Sequence, residues 1–529
     1  MGNSILHSIS VENYKAFEKA CIPIKPITIF LGANSVGKSA IIQLLLLLRQ
    51  TAKENFSSYQ SPLKLYGEYV NLGSPLNLFR KMDETKPLIL EICIDSEYLK
   101  NNLKSKIDRF VWSVNDVSRY IPVKGLFELS KRKIEDKKDF TDYLRSFGRI
   151  LSGVGLDNFK ERINYLLEGN ANINPSEMYL SNNDNILRTY SFLSSLKDKI
   201  ESNLFSFRFE LILRGNELVL KEAIVSSENK RIVSLNRTAD EIKVYSDFIG
   251  IKEEENEQLG ESFMTTNPIF KCFQYDRKKN KNNTTLVRYM ASIMEDSMSE
   301  LSSIFTEDRI NYVSPLRAHP KRYYMLDKAN VNMSLDTLDG DAVAEVIKDK
   351  STLKRKVNGW LKRFELSVDV EEFKEIIHHL KVKQNGLNLD ISDVGFGISQ
   401  VLPVIIQGFL SSSNSTVIME QPEIHLHPKM QADLSDLFIN IVSGMSEKRL
   451  VIETHSEYLL KRLRRRIAEK KVITNKDVSI CVFHLRDNHE GTYIENLNIG
   501  ETGFFNWPKE YYEGEIYNDT IEFLKRQYQ

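Results

Sequence analysis

Residues 27–39 read ITIFLGANSVGKS, and this stretch decides the fold. Its first part, Ile27-Thr28-Ile29-Phe30-Leu31, is a continuous apolar run of the kind buried on both faces of a parallel sheet. Residues 32–39, GANSVGKS, match G-x-x-x-x-G-K-[ST] in full, and a leucine-rich helix is expected over 40–50. Strand, glycine loop and helix N-terminus in that order make a phosphate cradle. Glycine lets the backbone wrap closely, while free N–H groups and the helix dipole supply positive potential. Gly32, Asn34, Ser35 and Gly37 would form the cradle. Lys38 would reach the β- and γ-phosphates of ATP, and the Ser39 hydroxyl would bind Mg2+. The competing reading is a chance match in a Gly/Ser turn, against which the flanking strand and helix argue.

Such a loop needs a carboxylate at the end of a neighbouring strand to organise the metal. Residues 415–420, STVIME, supply an apolar strand ending in Glu420, the expected metal-organising acid. A second strand, RLVIET at 449–454, runs into His455. A histidine there can hydrogen-bond a γ-phosphate; the alternative is a capping histidine before a helix at 456–467. Working outward, strands are expected at 87–94 and across 204–225, where Phe205, Phe207, Phe209, Leu211 and Leu213 alternate before an Arg214-Gly215-Asn216 turn. The charged, Gly-poor segments 97–203 and 237–305 read as amphipathic helices without a sustained heptad repeat. The expected organisation is one α/β core in pieces: 1–96, 204–236 and 309–529, with helical insertions at 97–203 and 237–308.

The composition fits an ordinary globular chain: 529 residues, 41% hydrophobic and 27% charged. Its 72 basic and 72 acidic residues leave no net formal charge, which excludes bulk electrostatic attraction to nucleic acid or anionic membrane. Cys21, Cys93, Cys272 and Cys481 are too far apart for a zinc or redox motif and read as reduced thiols. The first residues lack an apolar signal core, and no apolar run is long enough to cross a bilayer. A soluble, cytoplasmic location is the expectation.

GANSVGKS together with SDVGFGISQVLPVI (392–405), VIMEQPEIHLHPKMQ (417–431) and VIETHSEYLLKRL (451–463) resembles the Walker A, signature, Walker B and histidine-switch motifs of ABC-type ATPases. The subgroup it resembles is that of RecF, SMC and OLD-like proteins. VENYKAF (11–17) is similar to the strand that opens such heads, which implies that Tyr14 to Phe17 lie near the nucleotide base. Residues 311–324 and 503–519 resemble the PtuA-like ATPases of Septu and retron defence systems. The resemblance implies an ABC-ATPase head with a mixed parallel sheet, an antiparallel lobe and helical insertions. It also implies self-association, because in such heads the signature of one protomer touches ATP held by another. That role falls on Gly395, Gly397, Ser399 and Gln400, with Ser392 as an alternative contacting serine. Heads of this class carry Asp-Glu at the strand end, and the pair here is Glu420-Gln421. Glutamine positions water but cannot accept its proton, so slow turnover is expected unless Glu423 substitutes.

Several other patterns carry less. Glu423, His425 and His427 alternate like metal ligands but match the loop after Walker B. His378-His379 reads as one buried and one exposed ring on a strand, and 487–491 as a hairpin turn. Lys461, Arg462, Arg464, Arg465 and Arg466 form a basic helix face able to contact a phosphate backbone, and Arg277, Lys278, Lys279 and Lys281 a weaker cluster. The tail after His455 holds no paired acidic motif of a nuclease. The leading expectation is therefore an ATPase subunit governing a separate effector, an HNH nuclease by resemblance. The alternative is a RecF/SMC-like DNA-processing ATPase with DNA-stimulated hydrolysis; a transporter subunit would need membrane partners.

Overall fold

The computed structural model describes residues 4–53, 61–154, 159–168, 172–179, 184–238, 241–276, 279–280, 282–306, 308–317, 321–325, 340–374, 377–384, 386–394, 396–444, 447–486, 491–506 and 521–527. The first strands are β1 (Ile5–Tyr14), β2 (Phe17–Pro23), β3 (Ile27–Gly32), β4 (Leu88–Asp95), β5 (Leu204–Arg214), β6 (Glu217–Ser227), β7 (Lys230–Arg237) and β8 (Ile242–Tyr245). After them come β9 (Ile310–Val313), β10 (Tyr324–Met325), β11 (Leu366–Lys374), β12 (Ile377–Gln384), β13 (Leu387–Asp390), β14 (Thr416–Glu420), β15 (Arg449–Glu453), β16 (Val478–Leu485) and β17 (Thr492–Asn496). One 13-stranded sheet runs in the order β8-β7-β6-β5-β4-β1-β2-β17-β16-β3-β15-β14-β9. The stretch β16-β3-β15-β14-β9 is parallel, and β8 through β2 are antiparallel. The two parts join where β17 meets β2, through the single pair Thr492 and Phe17.

The parallel strands read as apolar because both faces are covered. Ile27, Ile29 and Leu31 of β3 face one core, and Phe30 faces the other. On the Ile29 side lie α11 (Phe396–Leu410), α12 (Pro428–Val442) and α13 (Glu457–Glu469). On the Phe30 side lies α1 (Lys38–Ala52). The antiparallel strands alternate instead: Phe205, Phe207, Phe209 and Leu211 point inward along β5. The turn after β5 holds Gly215 at φ 57° and Asn216 at φ 68°, both positive as a twist-matched two-residue hairpin requires.

Segment 97–203 forms α2 (Glu97–Tyr120), α3 (Lys124–Ser130), α4 (Lys137–Val154), α5 (Lys160–Glu168) and α6 (Asp184–Lys199). Segment 237–308 is not wholly helical. Ile242 and Val244 extend the sheet as β8 before α7 (Glu253–Gly260) and α8 (Thr285–Ile304), because Val244 finds a buried place beside Leu235. The two insertions, distant in sequence, pack as one helical layer. Lys106 on α2 meets Asp296 on α8 at 2.6 Å, Phe110 packs edge-on against Tyr289, and Arg188 on α6 meets Glu255 on α7 at 2.7 Å.

A second, four-stranded antiparallel sheet of β10, β12, β11 and β13 packs with α9 (Gly340–Asp349) and α10 (Ser351–Leu361) against the parallel half. On β12, His378 is buried and His379 is half-buried with Nδ1 3.2 Å from Asp390. Arg277, Lys278, Lys281 and 487–490 lie outside the described residues, as do 318–320 and 507–519 from the two defence-like segments. Among the described residues no helix is long and apolar enough to cross a membrane.

Candidate nucleotide site

The phosphate loop leaves β3 at Gly32, whose φ is 138° and where a Cβ would sit 2.5 Å from the Phe483 carbonyl of β16. Only glycine fits so close an approach. Gly37, at φ 98°, would bring a Cβ within 2.9 Å of the Phe17 ring. Between them Ser35 holds φ 63°. Lys38 is 3% exposed and curls back into its own loop, donating from Nζ to the carbonyls of Gly32 (3.0 Å) and Ala33 (2.8 Å). Burial lowers its pKa, an effect opposed by Glu453, whose Oε1 lies 3.5 Å from Nζ. An arriving phosphate would thus exchange neutral carbonyl partners for oxyanions around a buried ammonium, a favourable trade.

β15 runs between β3 and β14, so its last residue stands between the phosphate loop and Glu420. Parallel register puts Glu453 directly beside Glu420. A cleft of about 360 Å3 results, lined by Asn34, Ser35, Gly37, Lys38 and Ser39 on one side and by Pro315, Glu420, Gln421 and Glu453 on the other. Tyr312 on β9 donates its hydroxyl to Glu420 Oε1 at 2.7 Å. Burial raises the pKa of Glu420, which the Tyr312 bond opposes and the Glu453 charge reinforces. Burial likewise raises Glu453, against the pull of Lys38. The residues present suit Mg2+: a hydroxyl at Ser39 and a buried carboxylate at Glu420 are hard oxygen donors on one cleft. Bound there, the ion would neutralise charge on the β- and γ-phosphates.

The turn after β14 is tight. Gln421 adopts φ 44° and donates its N–H to the Glu453 carbonyl at 2.8 Å, which sets its side chain on the cleft. Glu423 is 7% exposed and is not among the cleft-lining residues; its Oε1 accepts the backbone N–H of His455 at 2.7 Å. Burial raises its pKa, opposed by that bond and by Arg317. His455 is half-buried, with its pKa lowered by burial and by the Lys38 charge, so the ring is neutral. Its Nε2 is buried without a hydrogen-bond partner. The cap of α13 is Ser456, whose Oγ accepts from the Leu459 N–H, so the capping reading of His455 does not hold.

The signature stretch lies away from the phosphate cleft of its own protomer. Gly395 lies outside the described residues. Gly397 lets the first turn of α11 approach the loop after β14, where a Cβ would stand 2.9 Å from the His425 carbonyl. Ser399 and Gln400 are buried within the protomer, and none of Gly397, Ser399 and Gln400 lines the cleft. Ser392 is half-buried, with Oγ 3.3 Å from Asp393, and is the more accessible serine. The Gln400 carbonyl accepts from Arg317 Nη1 at 3.1 Å, while Nη2 donates to the carbonyls of Glu420 and Gln421, also at 3.1 Å. Arg317 therefore ties the start of α11 to the end of β14. Tyr14 and Phe17 are near the phosphate loop, but both rings are buried: Tyr14 donates to the Ala40 carbonyl and Phe17 packs on Phe483. Lys15 and Ala16 are the partly exposed residues of that turn.

The basic face of α13 is engaged internally. Arg462 meets Asp433 and Asp436, Arg466 meets Asp436 and Glu469, Arg465 meets Glu469 and Lys461 meets Glu457. Arg464 donates to the Gly503 carbonyl and covers the Phe505 ring. Arg462, Arg464 and Arg466 thus fix α13 to α12 and the tail, whereas Lys461 and Arg465 pair within α13 and stay exposed. Among the described residues no group of three or more His, Cys, Asp and Glu is placed to hold a metal ion.

The AAA ATPase domain family matches residues 5–460, which takes in the phosphate loop, Glu420 and His455. The chain belongs to that family. This AAA ATPase matches no curated protein in sequence. Solved structures similar to it include the SMC head domain from Thermotoga maritima, at 8% identity and TM-score 0.32 over 94% of this chain and 100% of that one. Another is an SMC head bound to the C-terminal winged-helix domain of ScpA, at 10% identity and TM-score 0.36 over 94% and 98%. A third, from Pyrococcus furiosus, is an SMC head with an extended coiled coil bound to the C-terminal domain of ScpA, at 9% and 0.32 over 99% and 100%. Three residues of this AAA ATPase's site escaped the motif reading. Glu453 stood one residue before the Thr-His pair that drew attention, and Tyr312 and Arg317 stood in a segment read only for its resemblance.

Proposed function

We propose that this chain binds ATP with Mg2+ tightly, hydrolyses it slowly, and self-associates to complete its site. We further propose that it serves as the regulatory or scaffold subunit of an anti-phage defence complex and restrains a separate effector, an HNH-type nuclease, according to its nucleotide state. The observation that carries the slow-turnover reading is Gln421 on the cleft where an acid would be expected. A carboxamide positions water without taking its proton, a loss of about 10²–10⁴-fold in general-base assistance unless another acid on the cleft substitutes. Self-association is supported by a cleft that no described residue of 396–400 of the same protomer lines. The defence role rests on the resemblance of the flanking segments to PtuA-like ATPases. An ATP-held protomer is a two-state element suited to restraint and release of a partner.

The test is ATP turnover by the purified protein, with Lys38→Ala as background and DNA present or absent. Nucleotide bound and barely turned over, without DNA stimulation, is the expected result. Fast, DNA-stimulated turnover would instead make this a RecF/SMC-like DNA-processing ATPase. Gln421→Glu should speed hydrolysis, and no gain would count against the role given to Gln421.

A further inference from the structure

We propose that Glu453 is the general base of this ATPase, taking the proton from the water that attacks the γ-phosphate. The inference rests on the ATP-hydrolysis reading above. A base must lie on the phosphate cleft, carry a free lone pair and not be held by another task. The acids and amides near the cleft can be compared on those terms. Gln421 lines it but has no basicity. Glu423 is buried away from it, with one oxygen held by the His455 N–H. Glu420 lines it, but Tyr312 occupies one oxygen and the metal is assigned to the other.

Glu453 shares a buried, unpartnered Oε2 with Glu423 but, unlike it, lines the cleft. It lines the cleft while only 5% exposed, so it is fixed in place and shielded from bulk water. Its Oε1 lies 3.5 Å from Lys38 Nζ, and its Oε2 is buried with no hydrogen-bond partner. Strand order delivers it there, because β15 separates the strand of the phosphate loop from that of Glu420. An unpartnered, buried carboxylate oxygen on a residue that lines a polar cleft is costly unless something docks against it when the site fills. A water poised for attack is such a partner.

The step balances without a further reactant. The water oxygen bonds to the γ-phosphorus as the bond to the bridging oxygen of ADP breaks, and that electron pair stays with ADP. The water proton passes to the Glu453 carboxylate and then to the released phosphate or to solvent. Lys38 regulates this base. Without nucleotide it pairs with Glu453, and its turn toward the phosphates leaves the carboxylate uncompensated when a base is needed. Hydrolysis is then conditional on how Lys38 seats the phosphates.

The test uses the full chain in single-turnover experiments with [γ-32P]ATP and Mg2+, alongside fluorescent-ATP affinity. Glu453→Gln should slow turnover by about 10²–10⁴-fold while keeping ATP affinity within about threefold of the parent, well short of the tenfold that one lost interaction produces. Glu453→Ala should regain turnover when formate is added, whereas Lys38→Ala should not. Three results would overturn the proposal: Glu453→Gln turning over like the parent; a parent no faster than Lys38→Ala; or ATP affinity lost with turnover and no formate rescue, which would make Glu453 a positioning residue for Lys38. If the parent binds ATP and hydrolyses it but Glu453→Gln matches it, only this inference fails. If the parent binds no ATP, the ATPase reading fails.

Discussion

Replacing Arg317 by alanine tests the link between the start of α11 and the end of β14. Arg317 is 9% exposed, and burial draws its pKa down to about 10, with Glu423 pulling it back up. It is still a cation at neutral pH, and it donates to three carbonyls, those of Gln400, Glu420 and Gln421, each at 3.1 Å. Hydrogen bonds from a charged donor contribute about 1.5–3 kcal/mol each, but their total is reduced by the cost of burying the guanidinium. Removing one partner of a buried charged network costs about 3–5 kcal/mol, and that is the expected loss for Arg317→Ala. Arg317→Lys keeps the charge without the fork and should fall between, because one ammonium cannot reach acceptors on two segments. The assay is urea unfolding of Arg317→Ala, Glu423→Ala and the double variant, with a coupling of about 1–3 kcal/mol expected between neighbours. If Arg317→Ala loses less than about 1 kcal/mol, the value of an ordinary neutral hydrogen bond, the reasoning is wrong.

Gly397→Ala puts a methyl 2.9 Å from the His425 carbonyl, so α11 must shift; a loss of about 1–3 kcal/mol is expected, and an unchanged melting temperature would contradict it. Asp436 carries an acid-side prediction: burial would raise its pKa, but the Arg466 and Arg462 bonds outweigh this and hold it below the ordinary value. With the folded pKa depressed, the stability it contributes is present above the unfolded value of about 3.9 and is lost as pH falls through the folded one. The gap in stability between the parent and Asp436→Asn should therefore close in acid titrations, and a constant gap would sink the assignment. Lys461→Ser combined with Arg465→Ser should leave DNA affinity and its salt slope unchanged in filter binding, whereas a slope smaller by about 2 would reveal phosphate contacts.

The site's skeleton is legible in the chain wherever the chemistry is local. The glycines at 32 and 37, the lysine and serine that follow, and the apolar strands into Glu420 and His455 are recognisable because each role is fixed by neighbours a few residues away. Arg317, Tyr312 and Glu453 are not recognisable that way, since their importance comes from strand order: β9 flanks β14, and β15 separates β14 from β3. The serine and glutamine of 399–400 face inward for a similar reason, because α11 is apolar almost all round and sits under the sheet. The basic run on α13 looks like a binding face in one dimension, and only the packing of α12 brings Asp433 and Asp436 opposite it. β8 was hidden by the charged sequence around it, which overrode a short Ile-Lys-Val-Tyr alternation.

The single rung between β2 and β17 makes the great sheet two plates sharing a crease. At that crease the Thr492 N–H donates to the Ala16 carbonyl at 2.9 Å, and Gly491 passes so close that a Cβ would stand 2.7 Å from the same oxygen. The next residue, Phe17, presses its ring on Gly37 of the phosphate loop. The phosphate loop thus touches the strand that joins the two halves of the sheet, and one continuous core packs across that join. Amide exchange at Thr492 is therefore a backbone readout expected to change when ATP is added, because its N–H bond lies one residue from the ring that packs on Gly37.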